Sequence, residues 1–581
     1  MKVEENFRQL SIKQIKPQNN NNKIVIKNTP SNKQTSFTGG IDMALRFLDT
    51  NPAWGADAVD LCFMVIPRTL TDFSRGPEAG VETMRREGMG TANHSSVPLY
   101  GALAGLAVAS GINGLYFDSN SNIKANKIYA DSETLDMMGK LYKTEVDAAK
   151  ANSSEAKPIK EFLAKYFKNY EALSPVENGK YIKLPENEAE SVAELLTKEI
   201  EKAPKNPAKD VISTAKAKII SALGGVENNL RIVAEDGAKP HTSRYTVDTI
   251  VDNAYKLGSA FSKDKVFETF TNMAEGTENA FVKAMKSMNV KRSLIGLGIA
   301  SAVGVSAQPL NMYLTKLKTG KSGFVGGGEE DKSNTFKAKK AAVAGIFGAG
   351  VLSSILNPKV LFKNPKALIQ SLQFKGFNPT INQFKFIYGV TIMSRFLAAR
   401  NDNELTEATI KDTLGFANWL ILGNFVQKLA AQALDKDLIK KDGDGIMKWI
   451  TGSVLKSRDE ILHASLGKKA FKDGKALPYN ELVKLADKAT KVKLRKLSIA
   501  QVINYAYTGL VLGVGIPKLN IYLTNRREAK KAAMAAQNNG MNNSKQSAEI
   551  SSTGSLKNLE SMLTPANREF LNNAGAGNFL G

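Results

Sequence analysis

What this sequence lacks narrows the reading first. Among its 581 residues there is one cysteine, Cys62, so an intramolecular disulfide or a multi-cysteine metal or iron–sulfur site is excluded. The three histidines, His94, His241 and His463, are too far apart for an HExxH-type zinc pair. No metal and no cofactor is expected. The first 40 residues hold no apolar stretch of signal-peptide length, so no cleavable secretory leader is expected. Acidic residues are missing over long distances. Asn279 to Asn401 contains only Glu329, Glu330 and Asp331 against 18 lysines and arginines. From Lys332 to Asn401 there is no acid against 11 basic residues, and from Lys488 to Arg527 none against 8.

What the chain does have is a set of long uncharged stretches. Thr91–Phe117 runs 27 residues without Lys, Arg, Asp or Glu, Ser293–Thr315 runs 23, Ala341–Pro358 18, and Leu497–Pro517 21. Two shorter ones, Phe386–Ser394 and Thr413–Gln427, have the same style. A bilayer-spanning helix needs about 20 mainly apolar residues. These stretches reach that length, yet Gly, Ala and Ser fill many positions that Leu or Ile would occupy. Small residues four apart recur at Gly101/Gly105, Gly296/Ala300, Ala300/Gly304, Ala341/Gly345 and Gly509/Gly513. That spacing places both on one helix face and allows close backbone approach.

The expected fold is all-α, a multi-helix protein with several Gly/Ala-rich apolar, membrane-type helices, an inserted soluble helical domain and disordered tails. Residues 1–38, with Asn19–Asn22, and the segment from 532 to 581 are too polar to offset chain entropy and are expected to be disordered. Between them the pattern divides into an N-terminal helical unit (39–118), a polar helical domain (119–278), a basic apolar region (279–434), an amphipathic polar segment (435–496) and a last apolar helix with a basic exit (497–531). Within the polar domain, Val192, Leu195, Leu196 and Ile200 form one face of a helix after Pro185.

There is one internal echo. PLNMYLT at Pro309–Thr315 and PKLNIYLT at Pro517–Thr524 share Leu-Asn-x-Tyr-Leu-Thr at an offset of 209. Each follows a glycine-rich apolar stretch and precedes basic residues, Lys316 and Lys318 or Arg526 and Arg527. This predicts two equivalent helix ends. Tyr313 and Tyr522 are the expected interface anchors, and the four cations are candidate headgroup-binding residues. Basic residues lie on both sides of the apolar stretches: Lys291 and Arg292 precede the second, and Lys359, Lys363 and Lys366 follow the third. The positive-inside rule therefore yields no alternating topology.

Catalytic motifs fail on inspection. The loop Gly323–Ser333 has Asp331 where a phosphate loop needs Gly, and Glu329 and Glu330 would repel phosphate. Asp435–Gly445 puts Ile439 or Ile446 where a calcium loop needs oxygen ligands. Cys62, in LCFMVIP, is expected to be a buried, inert thiol. The segment Ile66–His94 is the densest in chemically capable side chains. Arg85, Arg86 and His94 are candidate anion- or headgroup-binding residues, and no triad or acid/base pair is recognisable there. No catalytic residue is assigned.

The charge of +23 and pI of about 9.6 attract polyanions. The basic residues border apolar helices and do not interleave with exposed aromatics, which favours an anionic lipid membrane over nucleic acid as partner. The expected role is structural, scaffolding or interaction at a membrane, with a protein partner compatible. The alternatives are a soluble, cytoplasmic, basic helical protein binding a partner or polyanion and, least supported, an enzyme using segment 66–94.

Overall fold

The computed structural model describes residues 40–546 apart from 51, 155, 178, 204–205, 234–243, 321–329, 422–424, 442–444, 446–448, 450–453 and 473–474. Helix accounts for 77 % of the described residues. Residues 1–38, His241 and most of the Gly323–Ser333 loop lie outside them.

The chain opens with α1 (Gly40–Thr50), α2 (Pro52–Asp60), a wide π-helical turn Leu61–Val65 and α3 (Ile66–Phe73). After a tight turn come α4 (Pro77–Ser95) and α5 (Val97–Tyr116), joined through the helical Ser96 into nearly one rod. Gly76 takes φ +132° and Pro77 sets the first helical φ, so glycine breaks the chain and proline restarts it. The long α12 (Ala280–Thr319) starts on an Asn279 cap and ends at left-handed Gly320. Between α5 and α12 lies a polar insertion of six helices, α6 (Ser132–Ala151), α7 (Ile159–Lys168), α8 (Glu186–Glu201), α9 (Lys209–Ala222), α10 (Val247–Phe261) and α11 (Asp264–Thr271). It also carries a four-stranded antiparallel sheet in the order β2-β1-β3-β4: β1 Tyr170–Leu173, β2 Tyr181–Lys183, β3 Leu230–Ile232, β4 Arg244–Tyr245. These strands are two to four residues long, too short for an alternation signal in the sequence. The expected α8 stripe is buried through Val192, Leu196 and Ile200. Glu199, the polar member of that face, accepts the Ala208 N–H at 2.7 Å.

The second part repeats this plan. After α13 (Asn334–Ile355), α14 (Pro358–Lys363) and α15 (Lys366–Ser371) come α16 (Ile381–Ala398) and α17 (Asp402–Phe416), then a π-helical turn Ala417–Ile421 and α18 (Phe425–Leu434). A small insertion follows, with α19 (Arg458–Leu466) and α20 (Tyr479–Leu485). The chain returns through α21 (Lys488–Tyr507), a π-helical stretch Thr508–Gly515 and α22 (Ile516–Gln546). The last helix therefore continues past 532, the expected start of the tail. Side-chain caps fix most of these starts: Thr380 with Gln383, Asn401, Ser457 with Glu460, and Asp487.

Both insertions sit at one end of the bundle. Arg46 pairs with Asp459, and a Cβ on Gly225 would fall 2.9 Å from the Glu460 backbone and 2.8 Å from His463. The two Leu-Asn-x-Tyr-Leu-Thr ends close the opposite one.

Four helices are long and apolar enough to cross a membrane by length and composition: Val97–Tyr116, Ala280–Lys318, Asn334–Ile355 and Lys488–Met534. Their packing follows the small residues only in part. Gly101 meets Gly296 backbone to backbone, with 3.2 Å from a built Cβ to the Gly101 Cα, and Gly304 and Gly513 sit at equally tight crossings. Gly345 faces open space, so the Ala341/Gly345 pair joins no helix here. Arg292 departs from a flanking cation. It is fully buried, donates to the carbonyls of Asn126 (3.1 Å) and Ile128 (2.6 Å), and stacks on Tyr129, tying α12 to the base of the insertion. Part of the basic flank that blurred the topology is thus structural.

Candidate functional site

The centre of the bundle holds a cluster of buried charges. Arg68 lies on α3, Arg86 and Glu87 on α4, Arg395 on α16, Lys411 and Asp412 on α17. Glu87 receives Lys411 Nζ at 2.8 Å, and Arg395 Nη2 lies 3.5 Å away. Arg68 Nη1 and Arg86 Nη2 each lie 3.6 Å from it. Arg395 also donates Nη1 to Asp412 at 3.1 Å. Buried carboxylates and guanidinium groups are retained only when partnered. Here one carboxylate serves four cations.

The cluster is built by two chain segments that repeat one another. REGMGTANH (Arg86–His94) and KDTLGFANW (Lys411–Trp419) align at an offset of 325. Arg86 matches Lys411, Glu87 matches Asp412, and Gly90, Ala92 and Asn93 match Gly415, Ala417 and Asn418. One helix earlier, Arg68 matches Arg395, and the burial of Met64–Leu70 follows that of Thr391–Leu397 at every position except Ile66, which is exposed where Met393 is half-buried. The contacts are reciprocal. A Cβ on Gly90 would approach Arg395 Nη2 at 3.9 Å, and one on Gly415 would approach Arg68 Nη2 at 3.1 Å. Each arginine lies over the glycine of the other half. Gly304 packs on Thr391 of α16, and Gly513 packs on Pro67 and Phe63 beside α3. Such crossed contacts are what a twofold arrangement of two like halves produces.

The Leu-Asn-x-Tyr-Leu-Thr echo belongs to the same repeat. In both copies the Asn is buried (Asn311, Asn520) and the Tyr is exposed, Tyr313 at 58 % and Tyr522 at 60 %. Arg85 donates to Asn311 Oδ1 at 2.7 Å and Thr315 Oγ1 at 2.9 Å, locking α4 to α12. Asn520 donates to the Glu407 carbonyl at 3.0 Å, holding α22 to α17. Lys316, Lys318 and Arg526 are exposed beyond the motifs, and Arg527 is half-buried.

The three candidates of segment 66–94 do not converge on one surface. Arg85 serves the helix lock, Arg86 lines an internal cavity, and His94 is 1 % exposed among Tyr388, Phe384 and Trp419. Sequence reasoning missed Arg68, Glu87, Arg395, Lys411 and Asp412 as a unit. The signal that finds them is the 325-residue echo, which is visible only once the two insertions of unequal length are set aside. Cys62 is a correction: it is exposed, not buried. It lies in the π-helical turn Leu61–Val65, which points Leu61 outward with it while Met64 and Val65 face inward.

That register change has a counterpart at Thr508–Gly515. There Ile516 N–H bonds to Val511 O, five residues back. The Leu512 carbonyl would next look to residue 517, which is proline and has no N–H. Arg68 Nε fills the vacancy at 3.2 Å. Among the described residues no group of three or more His, Cys, Asp and Glu could hold a metal ion. Compared with protein-family models, curated proteins and solved structures, the chain matches none.

Proposed function

We propose that this chain is a membrane-inserted α-helical protein with a structural, scaffolding or interaction role at an anionic membrane surface. The observation that carries the reading is a belt of exposed apolar side chains on the candidate spans. It includes Leu99, Leu103 and Leu106 on α5, Ile295, Ile299 and Val303 on α12, Ile346 on α13, and Ile499, Ile503 and Leu510 on the α21–α22 path. Patches of this extent on a water-soluble monomer are rare.

The lengths agree with a bilayer. Ser293 to Tyr313 rises about 30 Å as helix, the thickness of a hydrocarbon core. Tyr313 and Tyr522 then lie at one interface with Lys316, Lys318, Arg526 and Arg527 outside it, and the two insertions project from the other face. Each cation next to anionic headgroups contributes about 1 kcal/mol.

The test is extraction of membranes from cells expressing the full chain. Alkaline carbonate should leave it in the pellet and detergent should release it. Release by carbonate or high salt alone would return the reading to a soluble basic protein bound to a polyanion. Reconstitution into vesicles should then show salt-sensitive attraction of the tyrosine-capped end to phosphatidylserine.

A further inference from the structure

The link from α13 to α16 is a strap of two short helices, α14 and α15, neither of which buries a side chain. We infer that this strap, residues 358–371, lies in the plane of the bilayer on the side of the insertions and binds anionic phospholipid headgroups there. The inference rests on the membrane reading above and adds a contact on the leaflet opposite the tyrosine-capped end.

Three observations carry it. The first is apolar exposure on a fixed frame. Phe362 is 85 % exposed, the most open large apolar side chain among the described residues, and Val360 and Ile369 are exposed with it. Yet the strap is tied down beyond both ends. Before it, Lys385 Nζ donates to the Ser354 carbonyl at 2.8 Å. After it, the Gln373 side-chain carbonyl accepts the Ser132 N–H at 2.8 Å, and the Phe374 N–H donates to Ser293 Oγ at 3.0 Å. The Phe374 ring fills the crossing of Gly101 and Gly296. The anchors are buried and the apolar side chains between them face out, where water is a poor solvent for them.

The second is height. Ser293, to which the strap is tied, begins the part of α12 that rises about 30 Å to Tyr313. The strap therefore meets the bundle at the level where hydrocarbon gives way to headgroups, one bilayer thickness from the tyrosines.

The third is charge. The strap carries Lys359, Lys363 and Lys366 and no acid; all three are exposed, and none has an ion pair among the described residues. Lys375, four residues beyond the strap, turns towards the large insertion and meets Asp131 there at 3.9 Å. The insertion thus supplies an acid to the lysine that points inward and none to the three outside. Lysine stems lie along apolar surface with their ammonium groups at the interface, and segments that combine cations with Phe, Leu and Ile settle at the acyl–headgroup boundary. A nucleic acid would satisfy the lysines and leave Phe362 in water; an anionic lipid surface receives both.

The test places an environment-sensitive NBD label on single cysteines of the full chain, in a Cys62→Ser background, reconstituted into vesicles of phosphatidylcholine and phosphatidylserine. The sites are Phe362→Cys and Ile369→Cys on the strap, Ile346→Cys on the outer face of α13, and Val176→Cys, exposed on the large insertion. A nitroxide near the headgroup end of the acyl chain should quench the two strap labels, one deep in the chain should quench the label at 346, and only aqueous iodide should quench that at 176. At equal mole fraction, shallow nitroxide on phosphatidylserine should quench the strap labels at least twofold more than the same nitroxide on phosphatidylcholine, because each seated lysine favours anionic lipid. Adding Lys359→Gln, Lys363→Gln and Lys366→Gln together, at exposed positions without partners, should remove that preference. Strap labels in water while the label at 346 lies in hydrocarbon would overturn the inference and spare the membrane reading; a label at 346 in water would overturn both. Equal quenching by the two lipids in the parent chain, or a preference that the triple variant retains, would overturn the assignment to anionic headgroups.

Discussion

Replacing Glu87 by glutamine probes the logic of the cluster most directly. At an effective dielectric of about 20, unit charges 3–4 Å apart attract by roughly 5 kcal/mol before desolvation. Glu87 has four such neighbours, between 2.8 and 3.6 Å. Most of that gross energy compensates the cost of burying the ions. The net loss on removing one member of a buried pair is about 3–5 kcal/mol, because the partners stay behind uncompensated. The Glu87→Gln variant should lose stability at the upper end of that range. A second change, Lys411→Met, removes one orphaned cation and should recover about 1–2 kcal/mol, so the pair is strongly non-additive. The exchange Glu87→Asp with Asp412→Glu, which swaps the residues of the two halves, should stay within about 1 kcal/mol of the parent. The assay is equilibrium unfolding of the detergent-solubilised chain, followed by tryptophan fluorescence; Trp419 lies against the cluster through His94. A Glu87→Gln protein as stable as the parent, or a double variant as unstable as the sum, would refute the reasoning.

Other outcomes are equally specific. Glu227, at the contact between the two insertions, is pushed up to about 8 by burial and by Asp459, with Asp248 and Glu460 adding and Arg46 opposing. A folded pKa above the unfolded one means that the folded state binds the extra proton. Stability at this contact should therefore fall as pH rises from about 4.5 to about 8, and Glu227→Gln should flatten that slope in a thermal-midpoint titration. A Cβ on Gly304 would meet Thr391 Oγ1 at 2.3 Å. Gly304→Ala should cost about 1–3 kcal/mol, and Thr391→Ala in the same chain should recover at least half of it by denaturant unfolding. Exposed Cys62, with Leu61 and Ile66 beside it on the outer surface, should react with a water-soluble maleimide at least tenfold more slowly in membranes than in detergent. Equal rates would place this face in water.

The helices were legible because their signals are local. The runs without charge fall on long helices, and the helix expected after Pro185 begins at Glu186. The Leu-Asn-x-Tyr-Leu-Thr echo was legible for the same reason, and both of its tyrosines are exposed. The cluster was not. Glu87 finds Lys411 across 324 residues, and nothing local marks a lysine that will be buried. Segment 66–94 stood out by composition, yet half of its chemistry is completed by α16 and α17. Arg292 and Cys62 were misread because burial was inferred from sequence neighbours. A guanidinium can be buried when carbonyls and an aromatic face receive it, and a π-helical turn rotates a side chain away from the face that α-periodicity assigns.

The helix Ala280–Thr319 runs 40 residues with Pro309 inside it, about 60 Å in all, rooted in the large insertion by Arg292 and latched just past the proline by Arg85. Its proline-free part, Ala280–Gln308, tilts as one piece. A rotation of about 5° around the middle of that part would displace each of its ends by about 2 Å, in opposite directions. Whatever docks on the polar insertion thus has mechanical purchase on the tyrosine-capped end, and the Arg85–Asn311 latch is the place where such leverage would register.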